Sequence, residues 1–170
     1  MFRSLTFVAL AFAGSFVGKS ALAESLPTSK RLPLSIGMEA VMEAVTACEK
    51  SGYHVAATVV DASGLVQAVA KGDGAPPHTL DSSRGKAYAA VSLGPNFNET
   101  TTSAIVARVS NNLAFGPLQH LPGVFLVPGG VVIKSGGDVV GAIGVGGAPG
   151  GDKDEVCAQA AVAKIGDRLK

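Results

Sequence analysis

Apolar residues recur at helical spacing near both ends of this chain and form short β-branched blocks between them. From Leu34 to Lys50, Met38, Val41, Val45 and Cys48 share one face while Glu39, Glu43 and Glu49 lie outside it. That spacing predicts an amphipathic helix, ended by Ser51-Gly52. The blocks "HVAATVVD" and "LVQAVAK", joined by "ASG", predict a β-hairpin over 54–71. Gly72 to Pro77 reads as a rigid loop. A second helix is expected from Thr79 to about Leu93, with Leu80, Ala87 and Val91 inward, until "GPNFNET" breaks it.

A shorter helix is expected over Thr102 to Asn111, followed by a loop through "NLAFGPLQHLPG". Three strands then follow, "VFLV", "GVVIKS" and "VVGAIGVGG", punctuated by Pro128-Gly129-Gly130 and by Gly136-Gly137-Asp138. Asp152 to Leu169 closes the chain as a helix, with Asp152, Asp154 and Glu155 suited to its first turn. The order is helix, two strands, two helices, three strands, helix. Tight hairpin connections predict an antiparallel sheet covered by helices, an α+β fold rather than a doubly wound one.

The first residues change the picture of where this fold works. Met1-Phe2-Arg3 gives a positive start, Ser4 to Gly18 is apolar, and Ala21-Leu22-Ala23 supplies a small-x-small cleavage pattern. The apolar run is short for a bilayer span. Residues 1–23 therefore read as a cleaved secretory signal, and residues 24–170 as one domain in the periplasm or secreted. Removing the 23 residues leaves 147 of 170, with 12 basic against 13 acidic side chains, a net charge of −1. No basic run remains to meet a nucleic acid or a membrane surface, so nucleic-acid binding is not expected.

An exported chain with two cysteines raises the question of a bridge. Cys48 lies late in the first predicted helix and Cys157 early in the last. Antiparallel packing of those helices brings the two together. Closing so long a loop stabilises by up to about 5 kcal/mol in the chain-entropy model. The alternative is two small buried thiols.

Candidate chemistry is sparse. "GVGGAPGG" (144–151) follows a strand and opens a helix, but Pro149 stands where a dinucleotide fingerprint needs its third glycine, and a P-loop's Gly-Lys-Ser/Thr is absent. These glycines instead suit a close backbone approach, by a flat ligand or a neighbouring subunit. No Gly-x-Ser-x-Gly occurs, and neither cysteine neighbours a histidine. Asp152, Asp154 and Glu155 are either a cation cluster or the ordinary acids of a helix start. Asn98-Glu99-Thr100 matches a glycosylation acceptor.

His78 stands out. It follows Pro76-Pro77, which restrict the backbone, and Thr79 is a candidate cap of the helix it introduces. A helix N-terminus disfavours an imidazolium, and neutral imidazole is the form that binds metal. One histidine falls short of a zinc site, which takes three or four ligands. It suffices as an axial haem ligand. Arg84 and Lys86, within two turns, are placed to meet the carboxylates of an anionic ligand. The plain alternative is a histidine exposed in a loop. His54 and His120 read as structural, with His120 the second candidate ligand.

"GYHVAATVVDASG", "GDGAPPHTLDSSRGKAYAA", "LPGVFLVPGGVVIKSGGDVVGAIGVGGAPGGDKDE" and "CAQAAVAKIGDRL" together resemble the GlcG/HbpS-like haem-binding protein family over nearly the whole of residues 34–169. The likeness extends to a secreted branch in which Pro-His-Thr opens the helix and cysteines occupy both terminal helices. It implies a profilin-like, antiparallel five-stranded sheet with helices on both sides, homo-oligomers, and binding of haem or a related tetrapyrrole. Some relatives are described as assisting haem degradation or tuning a sensor kinase, which implies an exported or membrane sensor partner. "SLGPNFNET" lacks the arginines that many relatives carry there, which moves the propionate contacts to Arg84 and Lys86.

Three functions follow as expectations. The first is an exported, non-enzymatic haem-binding protein with His78 on the iron and Arg84 or Lys86 near the propionates. The second is an enzyme using the same pocket to degrade haem or act on a small organic acid. The third is a partner-binding module whose pocket is vestigial.

Overall fold

The computed structural model describes residues 24–170 apart from Ala114. The signal segment read over 1–23 lies outside the described residues. The elements are α1 (Leu34–Glu49), β1 (Ala56–Asp61), β2 (Val66–Lys71), α2 (His78–Phe97), α3 (Thr102–Val109), α4 (Phe115–Gln119), β3 (Gly130–Ser135), β4 (Asp138–Gly146) and α5 (Gly151–Ile165), with a 3-10 turn over Gly166–Arg168. All strand pairs are antiparallel, in the order β2-β1-β4-β3.

Both faces of this sheet are buried, and alternate side chains divide between them. Ala57 and Val59 of β1, Val131 and Ile133 of β3, and Ile143 and Val145 of β4 join α1 and α5 in the main core. Val60, Val132 and Ala142 point the other way, against Ala87, Ala90 and Val91 of α2. A third cluster seats Ile105 and Val109 of α3 against Ala89 and Leu93 of α2. In α1 the buried positions Ile36, Gly37, Ala40, Val41, Ala44, Val45 and Cys48 follow the helical period. Met38 and Leu80, both expected inside, are 45% and 39% exposed.

The sheet has four strands, not five. "VFLV" pairs with nothing, because the outer edge of β3 is already taken: Thr101 bridges Val131, and Val132 N–H donates to Thr100 O at 2.8 Å. Residues 124–127 cross over α2 instead, and Phe125 N–H donates to Gly85 O at 3.1 Å. The helix expected to stop near Leu93 continues through Pro95 to Phe97. Pro95 removes one N–H from the last turn but leaves its φ helical. The true stop is Asn98, left-handed at φ 53°, after which Glu99 N–H returns to Gly94 O at 2.9 Å. The "NLAFGPLQHLPG" loop contains the short helix α4.

Cys48 and Cys157 form a disulfide with a Cα–Cα distance of 5.5 Å. It joins the last turn of α1 to the middle of α5, while Arg168, just beyond α5, pairs with Glu39 in the first half of α1. The two helices are therefore antiparallel. Among the described residues, no helix is long and apolar enough to cross a membrane.

Candidate haem site

Two features of the chain set α2 tightly on the sheet. A Cβ at Gly144 would overlap the Ser83 carbonyl oxygen and the Ala87 amide, and one at Gly146 would overlap Ser82 Oγ. Gly144 and Gly146 thus accommodate the chain's own helix. Thr58 and Ser83 hydroxyls then meet at 2.8 Å across the same contact.

His78 is the first residue of α2 and is exposed. Thr79 is not the cap: it is buried one residue inside, and its hydroxyl donates to Pro76 O at 2.6 Å. Thr79 N–H also donates to Pro76 O, at 3.1 Å, so the rigid prolines supply the acceptor that starts the helix. The imidazole of His78 is thereby carried on a fixed helical turn, with no hydrogen-bond partner among the described residues.

Beside it runs an open groove of about 380 Å³. One wall is the α2 face carrying His78, Ser82 and Gly85, which recur at helical spacing; the other is Gly123, Val124 and Phe125. Gly85 makes this wall close: a Cβ there would come within 2.6 Å of the Phe125 Cβ. Phe125 is 44% exposed, so an aromatic face stands open beside the imidazole. Arg84 lies at the Gly123 corner and is exposed, and Asp81 adds one carboxylate to the rim. Val124 and Phe125 lie in the segment expected as a strand and Gly85 in the helix expected from Thr79, so none of the three is singled out by the sequence.

A second depression, about 250 Å³, shares His78, Ser82 and Phe125 and is bounded by Gly147 to Gly151, Lys86 and Asp154. Here Lys86 departs from its expected role. Its ammonium is 2.6 Å from Asp154 Oδ2, with side chains only 4% and 3% exposed. The cation expected at the propionates is committed to a buried ion pair. Arg84 remains as the exposed cation of the groove.

Two of the acids at the start of α5, Asp154 and Glu155, are likewise engaged by protein. Asp154 Oδ1 accepts from Ala148 N–H at 2.9 Å. Burial raises its pKa above the ordinary carboxylate value, opposed by the hydrogen bond and charge of Lys86. Glu155 accepts from the N–H groups of Ser103 and Gly129, both at 3.1 Å, and from the hydroxyl of Ser103. No group of three or more potential metal-ligating side chains occurs among the described residues. His54 lies beside Gly74, away from the groove, and His120 Nδ1 sits 2.7 Å from Gly116 O at the end of α4. Neither lines the His78 groove.

The residues at the groove fit haem in kind. A free imidazole, an aromatic and aliphatic wall, and a guanidinium at one corner match iron, macrocycle and propionate.

Comparison with known proteins agrees with this chemistry. The family model described as "Haem degrading protein HbpS-like" matches residues 32–163. No curated protein sequence matches the chain. Among solved structures, a double mutant of HbpS from Streptomyces reticuli is 37% identical, with a TM-score of 0.75 over 86% of this chain and 94% of that one. Protein ORFY of Klebsiella pneumoniae is 22% identical, with a TM-score of 0.75 over 86% and 98% of the two chains. A PduOC:heme complex is 24% identical, with a TM-score of 0.70 over 80% and 96%. These last two share the fold. With 132 of its 170 residues inside the family model, this chain belongs to the HbpS-like family.

Proposed function

We propose that this chain is an exported haem-binding protein in which His78 ligates the iron and Arg84 faces the propionates. The observation that carries the reading is an imidazole on the first turn of α2, without a hydrogen-bond partner among the described residues, beside a groove walled by Val124 and Phe125. Membership of a family described by its action on haem supports it, as does a haem complex of the same fold. Bound haem would bring a redox-active iron; His78 would offer it a ligand nitrogen, Val124 and Phe125 an apolar wall, and Arg84 a cation for the carboxylates. The Cys48–Cys157 disulfide supports export, since such bonds persist in oxidising compartments.

The family description also favours a second reading, haem degradation in the same groove. Titration with haemin separates the outcomes. A saturable Soret change that is stable to reductant and oxygen supports binding. Loss of the porphyrin band under those conditions supports degradation. No saturable change contradicts both.

A further inference from the structure

A second cavity, about 430 Å³, lies beside the β1–β2 turn and shares no lining residue with the His78 groove. It is larger and more enclosed than that groove, and it falls within the roughly 300–1,000 Å³ of small-molecule sites. Residues 29–32 form one wall and are fastened at three points. Lys30 Nζ reaches Asp138 at 3.0 Å and donates to Ser135 O at 3.1 Å. Leu32 is buried in the main core, and its carbonyl accepts from Gln67 Nε2 at 2.7 Å. The wall is therefore part of the fold rather than a loose tail.

Lys30 is neutralised by Asp138, and three other polar groups of the cavity are left unanswered. Arg31, which is exposed, forms no ion pair or hydrogen bond with any described residue. Asp61 Oδ1 accepts the N–H groups of Ser63 and Leu65, both at 2.9 Å, which fixes the carboxylate at the turn. Its Oδ2 accepts from no described residue. Arg31 and Asp61 thus bring opposite charges to one cavity without pairing with each other. The bond to Leu32 O fixes which end of the Gln67 amide is nitrogen, because a carbonyl accepts only from the NH₂ group. Gln67 Oε1 is then the one buried side-chain polar atom without a partner among the described residues. An orphaned buried acceptor costs free energy until a donor is brought to it.

We infer that this cavity binds a small zwitterion, an α-amino acid. Its carboxylate meets the Arg31 guanidinium, and its ammonium meets Asp61 Oδ2. Gln67 Oε1 is a second acceptor for the three ammonium protons. A simple carboxylic acid leaves both acceptors unanswered, and a simple amine leaves Arg31 so; an amino acid answers all three. The inference stands apart from the haem reading, since the two sites have no residue in common.

Calorimetric titration of the protein recovered after export with each of the common L-amino acids tests it. At least one is expected to bind saturably and to move the Gln67 side-chain amide signals in a nitrogen-15 spectrum. For that amino acid, N-acetylation or conversion of the carboxylate to its amide should weaken binding roughly tenfold or more, the scale of a lost charge-assisted hydrogen bond. Arg31→Gln and Asp61→Asn should each do the same, while far-ultraviolet dichroism and haemin titration stay unchanged. Asparagine keeps an oxygen for the Ser63 and Leu65 amides, so the turn survives that substitution. Equal binding by both variants, or equal binding of the N-acetyl form, overturns the inference. So does the absence of saturable binding by every amino acid, which would leave Gln67 Oε1 to water.

Discussion

Lys86 of α2 and Asp154 of α5 meet at 2.6 Å with both side chains withdrawn from water, although 68 residues separate them in sequence. The pair links the helix that carries His78 to the glycine loop that bounds its second depression, because Asp154 also holds Ala148 N–H. Removing one partner strands the other charge. Lys86→Met should therefore destabilise by about 3–5 kcal/mol at neutral pH, read from urea denaturation. A loss below about 1 kcal/mol would show that water reaches the site.

The same pair has a pH signature. Burial raises the folded-state pKa of Asp154, so between its ordinary value and that raised value the folded chain holds a proton that the unfolded chain has lost. Asp154 alone therefore makes stability fall as pH rises through that window. In Lys86→Met the opposing cation is gone and the window widens upward. The cost of Lys86→Met should accordingly shrink as pH falls and Asp154 becomes neutral. Denaturation of both proteins from pH 4 to pH 8 checks this, and a cost that grows toward acid would contradict it.

The disulfide closes a separation of 109 residues. Replacing Cys48 and Cys157 with alanine should lower stability by about 3–5 kcal/mol, measured against the oxidised protein. Haemin affinity should change little, since the bridge lies across the sheet from the α2 groove. A loss of haemin binding in a variant that still folds would place the site elsewhere.

Gly144→Ala tests the seat of α2. The added methyl overlaps Ser83 O and Ala87 N, atoms of helix backbone that have no rotamer to yield. A destabilisation of about 1–3 kcal/mol is expected from overpacking, together with weaker haemin binding, because the helix lifts with His78 on it. An unchanged melting temperature would contradict the close approach.

These contacts show how far the sequence speaks. Periodicity and turn residues located α1, the β1–β2 hairpin, β3, β4 and α5, because each of those segments buries a regular face; the Cys48–Cys157 bridge needed the further premises of antiparallel terminal helices and an oxidising compartment. The pattern misread "VFLV", since whether an apolar run becomes a strand depends on a free edge, and Thr100 and Thr101 from a distant loop occupy the edge of β3. It placed His78 at the start of α2 and Arg84 within two turns of it, as both are local to the Pro76-Pro77 entry. It gave Lys86 the wrong environment, because a burial partner on α5 leaves no local mark. The wall formed by Val124 and Phe125 was illegible for the same reason: Gly85 reveals its purpose only when the crossing segment is in place.

Arg84→Ala separates anchoring from ligation. An exposed guanidinium meeting a carboxylate contributes about 1 kcal/mol, so haemin affinity should fall roughly fivefold with the Soret position unchanged. A shifted Soret band in Arg84→Ala would mean that the residue acts on the iron ligand instead.

The central claim is that His78 holds the iron, and the most direct measurement is an absorption titration of haemin into the wild type beside His78→Ala. The account predicts a saturable, sharpened Soret band in the wild type that the substitution abolishes, while His120→Ala leaves it intact. A band of equal position and affinity in His78→Ala would contradict it and move the ligand away from the start of α2.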